Sequence, residues 1–520
     1  MSNQDALKSA VQAGYTFKGT SIVIGAAVAE GNVLSDAQVR IPLRTMNRHG
    51  LIAGATGTGK TKTLQGLAEA LSANGVSTLL MDIKGDLSGI AKPGTLNDKI
   101  KERHDKLGIE WTPSQYPAEF LSLSSEKGAK LRATVSEFGP VLFSKILDLN
   151  DTQSGVVSLV FKYSDDKKLP LLDLKDFKKV LQYLTNEGKA EIKQEYGAIS
   201  TSSASTILRK IIEIEEQGAE MFFGEMSFDV NDLVRLNDKG QGYINIIRLS
   251  DVQDRPKLFS TFMLCLLAEI YATFPEEGDS DQPKLVIFID EAHLIFKEAS
   301  KALQDQLETI IKLIRSKGVG IIFCTQTPVD IPSAVLGQLG LKIQHALRAF
   351  TANDRKAIKM VAENYPETDF YKVDELITEL GIGEALVTAL SEKGTPTPLV
   401  HTCLCTPHSR MDVLSADELS DMVGSSELVS KYNKVIDRDS AFEILTQKLT
   451  VTPEESEEAP AQASGKAAKQ EDEGSIVGDI MGSTVGRQVA RTVARELTRG
   501  LLGVLGISGT SSKKKKNSWF

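Results

Sequence analysis

Short apolar runs alternate along the chain with longer segments of helical periodicity. The apolar runs lie at 21–28, 49–54, 76–82, 242–249, 285–290, 319–325, 341–347 and 385–390. Each spans six to eight residues, the length of a strand buried on both faces. Helical patterns, such as 60–74, fall between most of them. This alternation predicts an α/β fold whose core is a mainly parallel sheet covered on both sides. Residues 95–240 interrupt it. They contain no strong strand run but have helical patterns at 174–186 and 204–217, so they read as a mostly helical insertion. Residues 1–20 read as a short helix and loop, and 351–380 as helical.

The expected organisation follows. Residues 1–94 hold an N-terminal segment and the first part of the core, and 95–240 the insertion. Residues 241–410 hold the second part of the core, and 411–450 a helical segment. Residues 451–474 carry seven acids and two lysines among Pro, Ala, Gln and Ser. That composition buries too little apolar surface to fold and reads as a disordered linker. In 475–520, Arg487, Arg491, Arg495 and Arg499 are spaced by four, as are Val485, Val489, Val493 and Leu497, offset by two. The tail reads as an amphipathic basic helix followed by Lys513 to Lys516, suited to DNA, an anionic membrane surface, a partner groove or packing on the core.

Gly54-Ala55-Thr56-Gly57-Thr58-Gly59-Lys60-Thr61 follows an apolar run and opens a helical pattern. It matches the phosphate-binding loop G-x-x-x-x-G-K-[ST] in full. Glycines let the backbone wrap closely and aim N–H groups at phosphate oxygens. Lys60 is placed for the β- and γ-phosphates, and the Thr61 hydroxyl for one position on Mg²⁺. A second signal is Asp290-Glu291, two acids after five apolar residues. A strand delivers them to the carboxyl edge of the sheet, where ligands of open α/β sheets bind. Asp290 is expected to hold Mg²⁺, mostly through water. Glu291 is expected to orient or deprotonate the attacking water.

Other candidates are less specific. Gln326, at the polar end of the 319–325 run, would contact the γ-phosphate or the water, or simply cap the strand. An arginine usually meets the charge that develops on the γ-phosphoryl group, often from a neighbouring subunit. Arg315 and Arg348 both qualify. Asp82 and Asp86, in M-D-I-K-G-D, serve either the metal or their own loop. His401, Cys403, Cys405 and His408 lack the usual structural-zinc spacing and suit strand packing equally well.

Composition changes this picture little. Of 520 residues, 41% are hydrophobic and 25% charged, with a net charge of −9. No apolar run reaches the roughly 18 residues of a transmembrane helix. The N-terminus has no secretory h-region, and four cysteines, two of them in apolar runs, argue against a disulfide framework. A cytoplasmic location is expected. The acidic balance leaves room for a local basic element that binds nucleic acid.

Taken together, the motifs resemble the HerA-FtsK superfamily of P-loop motor ATPases, in particular its bacterial branch with a HerA-like helicase C-terminal domain. The likeness is carried by the run from Arg48 to Thr61, by Met81 to Gly89, by Ser136-Glu-Phe-Gly-Pro140 and by Leu149-Asn-Asp-Thr-Gln153. Ile289 to Phe296 and Thr325 to Pro332 complete it, and it covers residues 15–410. It implies a RecA-like core with Glu291 as catalytic glutamate and Gln326 as polar sensor. It also implies ATP and Mg²⁺ as ligands, and a homo-hexameric ring that threads double-stranded DNA. HerA itself begins with a small β-barrel that docks a nuclease. Only 53 residues precede the loop here, which puts such a nuclease partnership in doubt. The leading expectation is a ring-forming DNA translocase or helicase-like ATPase. The alternatives are a motor acting on protein and a non-motor nucleotide switch.

Overall fold

The structure is a computed structural model that describes residues 2–450 apart from 252–254, 279, 298–300, 435 and 437. A single sheet of 12 strands runs through the described residues in the order β2-β1-β12-β11-β10-β3-β9-β8-β4-β7-β5-β6. The strands are β1 (Ser21–Ala29), β2 (Asn32–Pro42), β3 (Gly50–Ala53), β4 (Ser77–Asp82), β5 (Ala118–Ser122) and β6 (Ala129–Lys130). After these come β7 (Ile244–Arg248), β8 (Leu285–Ile289), β9 (Val319–Thr325), β10 (Leu341–Gln344), β11 (Glu384–Thr388) and β12 (Val400–Leu404). From β10 to β6 every pairing is parallel. From β2 to β10 every pairing is antiparallel.

The parallel block is buried on both faces, and the strand residues alternate between two cores. Leu79, Met81, Ile287, Ile289, Ile321 and Phe323 face one. Leu80, Phe288, Ile322 and Cys324 face the other. That is the period of two expected of a pleated strand. On the second face lie α1 (Asn3–Gly14), through Leu7 and Val11, and α2 (Lys60–Ala73), through Leu64, Leu67 and Leu71. A third helix, α3 (Asp98–Leu107), packs beside β2. The first face carries α4 (Val135–Ile146), α5 (Asp151–Asp166), α6 (Leu174–Thr185), α7 (Lys189–Glu195) and α8 (Thr201–Glu216). The long helices α9 (Pro256–Thr273) and α11 (Lys301–Ile314) join them, with the short α10 (His293–Lys297) between. The 351–380 stretch forms α13 (Ala352–Ala362) and α14 (Val373–Glu379), after the one-turn α12 (Ser333–Leu336).

The first strand is half of a hairpin: β2 was hidden by its mixed burial, and Glu30 and Gly31 make the turn with φ of 49° and 79°, the conformation tight hairpin turns require. Residues 95–240 hold α3 to α8 and also β5 and β6, which extend the sheet edge. Glu119 breaks the apolar pattern of β5. It is buried there because the Arg235 guanidinium lies 2.8 Å away and the Ser426 hydroxyl also donates to it. The 411–450 segment folds as α15 (Ala416–Gly424), α16 (Glu427–Tyr432) and α17 (Ala441–Thr450). Tyr432 and Leu445 enter the same core as the inserted helices. Residues Met1–Leu449 form one compact unit, so these segments are parts of one body. The linker and basic tail lie outside the described residues. No helix among the described residues is long and apolar enough to cross a membrane.

Candidate functional site

The phosphate loop leaves β3 at the carboxyl edge of the parallel strands. Its entry is tied on both sides: Gly54 N–H donates to the Thr325 carbonyl at 3.3 Å, and Ala55 N–H to the Ala346 carbonyl at 2.8 Å. Gly54, Gly57 and Gly59 have φ of 154°, 80° and 113°, values that only glycine adopts without strain. A Cβ at Gly54 would also lie 2.5 Å from the His345 side chain. Thr56 and Gly57 form the exposed crown, and Thr58 is buried with its hydroxyl donating to the Ala55 carbonyl at 2.8 Å. Lys60 opens α2, and its buried ammonium folds back to the Ala55 carbonyl at 3.1 Å. Burial, and then Lys84, pull its pKa down. Thr61 is the next residue of the helix and is half-buried.

One strand separates the loop from the acids, since β9 lies between β3 and β8. Asp290 and Glu291 follow β8 and are 3% and 7% exposed. Asp290 Oδ2 and Glu291 Oε2 have no hydrogen-bond partner. Burial raises the Asp290 pKa, against the pull of Lys84. Glu291 has a φ of 46°, a left-handed conformation that costs a non-glycine residue about 1–3 kcal/mol and clusters at functional sites. The bond from Ala292 N–H to the Cys324 carbonyl, 2.9 Å, holds the turn.

Lys84 joins the acids across the sheet edge. Its Nζ lies 2.6 Å from Glu291 Oε1 and 3.7 Å from Asp290 Oδ2. Burial lowers its pKa, but Asp290 and Glu291 outweigh that and the net shift is upward. The signal was a lysine inside M-D-I-K-G-D, after a strand that pairs directly with β8. Asp82 proves to be the residue that shapes this loop: its carboxylate accepts the N–H groups of Gly85, Asp86 and Leu87 at 2.8, 3.1 and 3.2 Å. Burial, then Asp86, push the Asp82 pKa up to about 6. Asp86 Oδ1 is buried without a hydrogen bond.

Two further residues brace the loop. His345 follows β10, with Nε2 3.0 Å from the Thr63 hydroxyl and a buried Nδ1 that has no partner. Arg103 of α3 donates to the carbonyls of Ile382, Gly383 and Leu404 at 2.8, 3.0 and 3.2 Å. Neither stands in a recognisable motif.

Gln326 is exposed immediately after β9, next to the Thr325–Ala53 pair that begins the loop. Arg348 is exposed past β10 on the same edge of the sheet, with Nη1 3.4 Å from the Thr378 carbonyl. Arg315 is not brought to this edge. It precedes β9 and, with Arg44, Arg48 and Lys312, lines a cleft of about 600 Å³. At ~3.3 Å per residue the seven residues of β9 put it roughly 20 Å from the loop's edge.

Thr61, Asp290 and the unpaired oxygen of Asp86 are hard oxygen donors. They suit Mg²⁺, which takes one or two carboxylates and leaves its other positions to water and phosphate. The cysteine and histidine side chains near the end are engaged elsewhere. His401 lies 3.0 Å from Glu384, Cys403 is beside Arg103, and His408 stacks on Trp111 at 5.8 Å. Among the described residues no group of three His, Cys, Asp or Glu side chains could hold a metal ion.

A glycine-rich loop between a parallel strand and a helix, with an acid pair one strand removed, defines a P-loop nucleotide-binding core of RecA-like type. The chain belongs to the family described as helicase HerA-like C-terminal, which matches residues 29–511. That match extends further toward the C-terminus than the motifs alone. The DNA double-strand break repair helicase HerA of Sulfurisphaera tokodaii is 24% identical over 359 residues, 68% of this chain and 64% of that one. The protein of the same description from Sulfolobus acidocaldarius is 22% identical over 367 residues, again 68% and 64%. The chain thus spans less than two thirds of the length of these relatives. Among solved structures, the bacterial conjugative coupling protein TrwB is similar with a TM-score of 0.48 and 14% identity. That match covers 78% of this chain and 98% of the solved TrwBdeltaN70 chain.

Proposed function

We propose that this protein hydrolyses ATP and, as a homo-hexameric ring, uses the energy to move along double-stranded DNA. One observation carries the hydrolytic part. Glu291 presents a buried carboxylate oxygen without a hydrogen bond at the same sheet edge as the phosphate loop. A pure binding site gains nothing from leaving that one oxygen unsatisfied, because an unsatisfied buried polar atom costs stability. A hydrolase needs it to receive a proton.

In this reading the loop's N–H groups and the α2 N-terminus hold the phosphates, and Lys60 swings from the Ala55 carbonyl to the β- and γ-phosphates. Thr61 and Asp290 hold Mg²⁺, which when bound neutralises phosphate charge. Glu291 takes a proton from water as its O–H bond breaks. The water oxygen bonds to the γ-phosphorus while the bond to the β–γ bridging oxygen breaks, and ADP leaves with that electron pair. Gln326 contacts the γ-phosphate or the water. Arg315 or Arg348 reaches a neighbour's site.

The DNA and ring assignments rest on family membership and on the repair helicases among the relatives. They are tested by measuring ATP turnover with and without duplex DNA, and mass by light scattering. Stimulation by duplex DNA together with a hexameric mass is expected. A turnover indifferent to duplex DNA would overturn the DNA assignment and favour a protein substrate. A strictly monomeric, fully active enzyme would overturn the ring.

A further inference from the structure

We propose that Lys84 is the positioning residue for Glu291, selecting which carboxylate oxygen acts on the water. The inference rests on the hydrolytic reading above. Lys84 Nζ meets Glu291 Oε1 at 2.6 Å and leaves Oε2 without a hydrogen bond. The two oxygens are therefore unequal. Oε1 is held by an ammonium, and Oε2 keeps its lone pairs for a proton. Near Oε2, His293 Nδ1 lies 3.3 Å away but makes no hydrogen bond there.

An ion pair on an open surface would carry no such argument, because exposed pairs contribute little. This one is different in construction. The Glu291 side chain is 9% exposed, and its backbone is held in the left-handed region. The Lys84 backbone is equally constrained. The Asp82 carboxylate gathers three consecutive N–H groups just beyond it, and Gly85 turns the chain with a φ of 74°. Two short, braced turns, one from β4 and one from β8, thus deliver the two charges to each other. Their strands are paired in register up to Met81 and Ile289. Lys84 follows β4, on the far side of β8 from the phosphate loop, and that loop already has its own lysine, so phosphate binding does not need Lys84. Its effect is expected in turnover rather than in nucleotide affinity.

The test is a double-mutant cycle in the full-length chain. Lys84→Met keeps the length and removes the charge, Lys84→Gln is the milder replacement if the first melts early, and Lys84→Arg restores the cation. Each is measured alone and combined with Glu291→Gln, with kcat, KM and affinity for a fluorescent ATP analogue as readouts. The expected result is a ~10-fold or greater fall in kcat for Lys84→Met, affinity within ~3-fold of wild type, and partial recovery in Lys84→Arg. Adding Lys84→Met to Glu291→Gln should cost no further turnover, since the residue acts only through Glu291. Losses that multiply in the double variant, or an unchanged kcat in Lys84→Met, would overturn the inference. A wild type that fails to hydrolyse ATP would instead overturn the hydrolytic reading, and this inference with it.

Discussion

Gly383 donates its backbone N–H to the carbonyl of Thr58 at 3.1 Å, so the phosphate loop is tied to the turn that precedes β11. Arg103 holds that turn through the Ile382 and Gly383 carbonyls and ties it to the Leu404 carbonyl at the end of β12. A strand that is antiparallel to the core and a helix from outside it therefore set the outer wall of the loop. Charge-assisted hydrogen bonds of this kind contribute about 1.5–3 kcal/mol each. Arg103→Ala is expected to weaken ATP binding ~10-fold while changing kcat much less, because no group that meets the reacting atoms moves. Isothermal titration with ATP checks this. Unchanged affinity would show that the turn stands without its arginine.

Lys60→Ala should abolish hydrolysis. The ammonium is buried and rests on the Ala55 carbonyl, a position from which it can reach phosphate. The Thr61 and Asp290 oxygens would remain, so residual Mg²⁺ affinity is expected. Near wild-type turnover in the purified variant would remove Lys60 from the reaction.

Glu291→Gln should separate binding from chemistry. The amide keeps the size of the side chain but cannot take the proton. ATP is expected to bind with little change while turnover falls ~10²-fold or more, within the range for a general base. Single-turnover measurement with radiolabelled ATP distinguishes the two steps. Normal turnover would show that another group activates the water.

Stability should depend on pH through two buried imidazoles. Burial pushes His49 down to about 4, with the Ile311 carbonyl pulling up and Arg315 pulling down. Burial, then Lys60, push His345 to about 4 as well. Both fall below the ordinary value of 6.5. Depressed values mean that the folded state holds these rings neutral, so their contribution is present above 6.5 and is lost as pH falls toward 4. Asp82, raised to about 6 from 3.8, works the other way over part of this window. The clean measurement is therefore a difference. His49 accepts the Ile321 N–H at 3.0 Å and donates to the Ile311 carbonyl at 2.8 Å, so His49→Gln should melt earlier than wild type at pH 7.5. The gap should narrow as pH falls to 5. A constant gap would show that folding does not lower the His49 pKa below its ordinary value.

The arginines call for mixed assemblies. An arginine finger is worth ~10³–10⁵ in rate in related phosphoryl-transfer enzymes. Doping Arg315→Ala or Arg348→Ala subunits into wild type should lower activity more than dilution alone, for whichever arginine completes a neighbour's site. Arg348 shares the edge of its own phosphate loop and Arg315 lies at the opposite one, so the answer also orients the subunits in the ring. Activity that falls in proportion to dilution for both would leave the ring without either finger.

The phosphate loop and the acid pair were legible because local chemistry demands them. Only glycine takes the φ values of Gly54, Gly57 and Gly59 cheaply, and five apolar residues before Asp290 can only be a buried strand that ends at a polar edge. The alternation of runs likewise announced a parallel sheet, since a strand buried on both faces must be apolar at every position. What depended on pairing was not legible. β2 and β5 are marginal strands by composition, and each is made by the neighbour it meets. β5 in particular needs Arg235, which is 116 residues away along the chain, to bury Glu119. Arg103 and His345 were not legible for the same reason: an arginine and a histidine outside any motif carry no periodicity and become site residues only through long-range contacts, whereas Lys84 stood in M-D-I-K-G-D but with nothing to say which acid it would meet. Arg103 meets Leu404 across 301 residues, and His345 meets Thr63 across 282. Sequence determined which groups could do the chemistry, because reactivity resides in side-chain type and local backbone freedom. Tertiary structure alone decided which of them face one another, because that is set by strand order and by how one turn packs against another.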